Sequence, residues 1–209
     1  MFTKKGYKVV RGFYPKETMN LIKQFYKTKI LNDDMPIDFE NGQVAGAFNE
    51  YGGSMGDSIL LQTMDIAQEV FGEELYPCYS FFRLYNHQDN LKPHTDRPSC
   101  ELSGTLNIYA DKEWPIYMQV YDFDKYGNDV YTSANVEKST PLVLNQGDIC
   151  FYEGTKMNHW RHRYQGDNCY QIFIHYVRKN GQYADYKFDR RKKLGEPHSG
   201  VINEQVFEY

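Results

Sequence analysis

The chain has no apolar run of membrane-spanning length, and its first residues, Met1-Phe2-Thr3-Lys4-Lys5, form no apolar signal region. A soluble, cytoplasmic protein is therefore expected, with no membrane partner. An excess of positive charge is also missing. Against 24 Lys and Arg stand 28 Asp and Glu, for a net charge of -4. Without a basic field, sequence-independent binding of duplex nucleic acid is not expected. Cysteines are few: Cys78, Cys100, Cys150 and Cys169 show no Cys-x-x-Cys spacing of a zinc site. Three of them, Cys78, Cys150 and Cys169, sit in hydrophobic strand-like runs and read as small buried thiols. Internal repeats and low-complexity tracts are absent too.

What is abundant is aromatic side chain, 16% of the chain with 19 tyrosines. Tyrosine fits half-buried pleated surfaces, so a β-rich protein is indicated. At 209 residues the chain is long enough for one domain with a sizeable core. Residues 7–14 read as a short strand leading into a helix, with Pro15 suited to its first turn. Met19, Ile22, Phe25 and Tyr26 then recur at helical spacing. Residues 32–56 are broken by Asp33-Asp34, Pro36 and five glycines and read as irregular. Asp57 is a candidate N-cap for a second helix carrying Leu60, Met64, Ala67, Val70 and Phe71 on one side.

From Tyr76 the pattern turns to β. Strands are expected near 77–86, 92–96, 101–110, 116–122, 140–144, 148–153, 158–164 and 169–178. The fold class that follows is α+β, mainly β. It is a double-stranded β-helix, or jelly roll, with N-terminal helices packed on one sheet. Residues 1–75 form a helical support region, 76–179 the jelly-roll core and 180–209 a C-terminal tail, together a single domain over 1–209. The polar segment 123–139 reads as an exposed loop or a lid. The basic run Arg190-Arg191-Lys192-Lys193 reads as solvated or as a substrate or partner contact. Residues 201–207 could pair with a sheet edge or a neighbouring subunit.

Of six histidines, His94 and His159 stand out. His94-Thr95-Asp96 places an imidazole and a carboxylate two residues apart, on one face of a strand. His159 follows Gly147-Asp148 and a hydrophobic strand. Two imidazoles and one carboxylate on one face of a metal leave positions open, an arrangement that suits Fe(II) oxygenases. A His-x-Asp alone also fits a surface histidine beside a turn. His87 and His198 lie in polar loops, and His162 points away from His159 on a regular strand. His175, within Ile172-Phe173-Ile174-His175-Tyr176, needs a partner in so apolar a run and is either a satisfied core histidine or a pocket residue, the latter being what the family resemblance given below implies.

The order and spacing of these elements, from Phe82-Arg83-Leu84-Tyr85 through His94-Thr95-Asp96 and Gly147-Asp148 to His159, resemble the Fe(II)/2-oxoglutarate-dependent oxygenases, and within them the prolyl-4-hydroxylase-like group. The resemblance covers about Tyr76 to Lys179. It implies His94, Asp96 and His159 as ligands of Fe(II), with 2-oxoglutarate and O2 as co-substrates. The implied reaction is oxidative decarboxylation of 2-oxoglutarate to succinate and CO2, coupled to hydroxylation of a substrate C–H bond. A peptidyl proline is the first candidate substrate; another side chain or a small molecule is equally compatible. Family members that halogenate lack the carboxylate, so Asp96 favours hydroxylation. Tyr85 and Tyr109 match positions that line the co-substrate pocket, though core packing would also account for them.

One feature departs from the family. Its cation for the distal carboxylate of 2-oxoglutarate usually lies nine to twelve residues after the distal histidine. Here that window holds Asn168, Cys169, Tyr170 and Gln171. Arg161 shares a strand face with His159 and can supply the bidentate fork a carboxylate needs. Arg161 is therefore the expected anchor, with Gln171 as a neutral helper and Arg83 and Arg163 as weaker candidates. A surface salt bridge is the alternative for each arginine. The missing downstream cation also keeps open a non-catalytic, cupin-like metal- or ligand-binding module.

Overall fold

A computed structural model describes residues 6–35, 37–38, 43–119 and 139–195. The expected lid over most of 123–139 and the end of the tail, including the 201–207 edge segment, lie outside the described residues. In chain order the elements are β1 (Tyr7–Val10), α1 (Lys16–Leu31), β2 (Ile37–Asp38), β3 (Ala47–Tyr51), α2 (Ser54–Gln62), α3 (Met64–Phe71), β4 (Leu75–Asn86), β5 (Leu91–His94), β6 (Leu102–Ala110), β7 (Ile116–Gln119), β8 (Ser139–Leu142), β9 (Ile149–Tyr152), β10 (His159–Arg161) and β11 (Asn168–Arg178). The strands form a major sheet ordered β1-β9-β6-β11-β4-β3-β2 and a minor sheet ordered β5-β10-β7-β8. All pairings are antiparallel.

The three helices pack on the outer face of the major sheet. Met19, Ile22 and Tyr26 of α1 recur at helical spacing and are buried, in one cluster with Leu60, Ala67, Val70 and Phe71. The same cluster takes Leu102, Leu106 and Ile108 of β6 and Ile172, Ile174 and Tyr176 of β11. The intervening residues of β6, Ser103, Thr105 and Asn107, are buried and polar, and by strand alternation they face the minor sheet. The β6 side of the interior between the sheets is thus polar; one hydrophobic cluster lies under the helices, and another, with Ile116, Met118, Cys150 and Tyr152, joins the two sheets.

Several expectations change. The second helix begins at Ser54 with Gly53 at its N-cap, and Asp57 is not the cap. Its carboxylate points inward instead, accepting Ser80 Oγ at 2.7 Å and the Gly195 amide at 2.9 Å. Gly56 allows that approach, since a Cβ there would meet Ser80. The expected single helix is split at Thr63, whose hydroxyl bonds back to Ile59 O at 2.7 Å and to Tyr176 Oη at 2.7 Å. The irregular 32–56 stretch holds the strands β3 and β2, of which β2 is the sheet edge. Residues 184–190, within the expected tail, form short 3-10 turns broken by non-helical backbone at Lys187, Phe188 and Asp189, with Asp189 buried, and Arg191 donates to the Cys78 carbonyl at 3.1 Å. Among the described residues no helix is long and apolar enough to cross a membrane.

A candidate metal centre between the sheets

His94 ends β5 and His159 begins β10, and the two are directly paired across the minor sheet. Their ring centroids are 4.3 Å apart. Asp96 lies just beyond β5, where its amide donates to the Gly154 carbonyl at 2.9 Å. Asp96 Oδ1 stands 3.6 Å from Nε2 of His94 and 3.6 Å from Nε2 of His159. Potential ligand atoms of all three residues lie within 4.8 Å of one another. The rings are oriented alike. His94 Nδ1 bonds to Lys92 O at 2.8 Å and His159 Nδ1 to Met157 O at 2.9 Å. A carbonyl only accepts, so each Nδ1 carries the proton and each Nε2 turns a lone pair toward Asp96.

The electrostatics suit a cation. Burial lowers the His159 pKa to about 4, with His94 adding to the effect, so this imidazole is neutral. Burial works to raise the Asp96 carboxyl, but His159 and His94 outweigh it and hold the group below its ordinary value. The other oxygen, Oδ2, accepts Ser103 Oγ at 2.9 Å. Ser103 Oγ also stands 3.0 Å from His175 Nδ1. His175 therefore reaches the centre through Ser103, and burial holds it neutral, with a pKa lowered to about 4. Gly154 is required where it sits, because a Cβ would lie 2.5 Å from Asp96 Oδ2.

Two contributors were not found by sequence reasoning. Tyr152 places its hydroxyl 3.4 Å from His159 Nε2, and burial first, then Asp96, push its phenol well above the ordinary value. Nothing in composition marks it among so many tyrosines. Ser103 had a signal: the polar-apolar alternation of Ser103-Gly104-Thr105-Leu106-Asn107-Ile108 marks a polar inner face on β6.

Arg161 lies at the end of β10, two residues beyond His159, and is 2% exposed. Its Nη1 donates to the Trp114 carbonyl, and its guanidinium carbon lies 4.8 Å from the Trp114 ring centroid. Among the described residues its Nε and Nη2 have no hydrogen-bond partner. Arg161 is also one of the residues that line a cavity of about 170 Å³, together with Asn107, Cys169 and Gln171. A buried cation with two idle donors is costly unless an anion completes it, which fits a carboxylate ligand.

The other candidates fall differently. Gln171 faces the same cavity but is engaged, donating to Asn107 Oδ1 at 2.9 Å. Arg83 is buried, with Nε donating to Asn49 Oδ1 at 2.8 Å. Arg163 is exposed because β10 stops at Arg161. Tyr85 is buried beside Trp114, and among the described residues its hydroxyl has no partner. Tyr109 lines one end of the cavity, yet Lys23 Nζ sits 3.1 Å over its ring. An irregularity in the β6–β11 register between Tyr170 and Gln171 turns it toward the helices.

No protein-family model matches the sequence, and no curated protein does. Solved structures do match. A Pseudomonas putida prolyl-4-hydroxylase superposes with a TM-score of 0.63 at 10% identity, covering 83% of this chain and 93% of that one. The carbocyclase SnoK of nogalamycin biosynthesis, described as non-heme and alpha ketoglutarate dependent, gives 0.67 at 12% identity, covering 94% and 90%. HygX of Streptomyces hygroscopicus gives 0.62 at 8% identity, covering 85% and 84%. The chain shares their fold, a double-stranded β-helix with helices on one sheet.

Proposed function

We propose that the protein is an Fe(II)- and 2-oxoglutarate-dependent dioxygenase that hydroxylates a substrate C–H bond, with His94, Asp96 and His159 as the metal ligands. The reading rests on one observation above all: two Nε2 lone pairs and a carboxylate oxygen converge at one point, while a buried arginine with idle donors lies one strand step away. Neighbouring folds carry such ligands. The HygX structure was solved with nickel and 2-oxoglutarate bound, and the epimerase SnoN in complex with Fe3+, alpha ketoglutarate and nogalamycin RO.

Fe(II) held by two neutral imidazoles and one carboxylate, with 2-oxoglutarate, would supply the activation of O2 and the abstraction of hydrogen from the substrate. The chain's own part is to aim and to enclose. The Lys92 and Met157 carbonyls fix the two imidazoles in one tautomer. Ser103 holds Asp96 by Oδ2, leaving Oδ1 toward the histidines. Arg161 takes the distal carboxylate of the co-substrate, with the Trp114 ring beside its guanidinium. The solved neighbours include a hydroxylase, a carbocyclase and an epimerase, so hydroxylation is our choice among outcomes, made on Asp96. A peptidyl proline is the first substrate to offer.

Anaerobic titration with Fe(II) and 2-oxoglutarate tests the reading. The visible metal-to-ligand charge-transfer band of the chelate should appear in the wild type and be lost in His159→Ala. With O2 admitted, the wild type should form succinate. Iron bound without a band would instead identify a cupin-like binding module.

A further inference from the structure

One buried hydroxyl has a partner that a metal would take away. Tyr152 of β9 pairs with Ser103 of β6, so the two side chains share the inner face of the major sheet. Tyr152 is 1% exposed. Among the described residues its hydroxyl has one hydrogen-bond partner, Nε2 of His159 at 3.4 Å. The Nδ1 proton of that ring is directed to the Met157 carbonyl, so Nε2 accepts and the phenol donates. Nε2 has a single lone pair. Its bond to Tyr152 and a bond to a metal exclude each other.

A metal on His159 therefore leaves a buried donor without an acceptor, which is costly. Tyr152 is not alone in this. The Tyr85 hydroxyl and Nε and Nη2 of Arg161 also lack an acceptor among the described residues. Tyr85 and Asp96 lie close enough to Tyr152 to act on its phenol electrostatically. Asp96 is already committed, with Oδ2 accepting Ser103 and Oδ1 turned to the two histidines. What arrives with the metal is oxygen. Two imidazoles and one carboxylate leave positions open, and water or a chelating acid fills them with the acceptor that the phenol has lost.

We propose that Tyr152 exchanges His159 for the co-substrate, donating its hydrogen bond to a metal-bound oxygen of the 2-oxo acid. The proposal rests on the reading of His94, Asp96 and His159 as the iron ligands. Tyr152 then acts in opposite directions on two binding steps. Iron arriving alone must break the bond between Tyr152 and Nε2, so the phenol opposes it. The acid arriving next gives the phenol an acceptor, so the phenol favours it. A side chain that only filled space would not divide the two steps in this way. Tyr152→Phe removes the donor and keeps the ring in its cluster with Ile116, Met118 and Met157.

The test measures both steps anaerobically in the wild type and in Tyr152→Phe. Fe(II) alone is titrated in competition with a coloured chelator, and 2-oxoglutarate is then titrated onto the iron-loaded protein, reading the charge-transfer band. The expected variant binds Fe(II) at least as tightly as the wild type. Its Kd for 2-oxoglutarate should rise about tenfold, and the maximum of its band should move, because the chelate has lost a hydrogen bond. An unchanged Kd and band in Tyr152→Phe overturn the proposal and leave the proposed function standing. Weaker binding of Fe(II) alone also overturns it, since the hydroxyl would then serve the metal or the fold itself. No band in the wild type overturns both readings.

Discussion

Arg161 is a buried cation held by one backbone carbonyl, and such a group gains most from an arriving anion. Charge-assisted hydrogen bonds contribute about 1.5–3 kcal/mol each. Arg161→Ala should therefore weaken 2-oxoglutarate binding by on the order of 10–100-fold in the anaerobic titration. Arg161→Lys keeps the charge but loses the fork, and should fall between the two. An unchanged Kd in Arg161→Ala would remove this residue from the site. The position of Arg161 was legible because period-two alternation carries His159 and Arg161 to one side of a strand. The same rule failed at Arg163, where the strand has already ended; Tyr109, expected from the family resemblance, lines the cavity while a register irregularity packs it toward the helices. Tyr152 was illegible because its role depends on which sheet β9 joins, a fact no local pattern contains.

Elements were read more securely than their ends. Strong β patterning from Tyr76 onward placed the eight core strands, because each alternates or runs apolar between turn residues. The start of α2 was misplaced for a physical reason: an aspartate reads as a cap, but Asp57 is held by tertiary partners, Ser80 and Gly195. The strands β2 and β3, at one end of the major sheet, were hidden by the glycines around them. The turn into β9 was read correctly from Gly147-Asp148. Gly147 has φ +87°, and a Cβ there would overlap the Tyr14 carbonyl oxygen. Asp148 accepts the Gly12 amide at 2.7 Å and the Asn145 amide at 2.7 Å. Gly147→Ala adds the left-handed penalty of about 1–2 kcal/mol to that overlap. Its urea midpoint should fall by an amount corresponding to at least ~2 kcal/mol. A midpoint equal to the wild type would mean that the turn can relax freely.

Across the whole molecule, the segment after β11 is tied back to the chain beside Asp96. Asp189 accepts Arg97 Nη1 at 2.8 Å and Nη2 at 2.6 Å, and Tyr51 Oη at 2.5 Å. Arg97 directly follows Asp96. Burial works to raise the Asp189 carboxyl, but the Arg97 pair outweighs it and the pKa is lowered. A lowered folded pKa gives stability that is present above the unfolded value of about 3.9 and lost as pH falls through the folded value. Asp189→Asn keeps a residue tolerant of φ +55° and should cost about 1.5–3 kcal/mol at pH 7. That gap should narrow below about pH 4; a gap constant down to pH 2 would deny the ion pair its role. The basic run after Asp189 gave no hint of this, because a charged tract reads as solvated until a buried partner is known.

The two imidazoles share one further property. Each is steered by the carbonyl two positions before it in its own chain segment, Lys92 for His94 and Met157 for His159. Their aim is thus written in the main chain, which every residue type possesses. Side chains around the mouth can be exchanged for others without misdirecting either ring. Such a scaffold can be refitted for a new guest while the aim of both rings stays as it was.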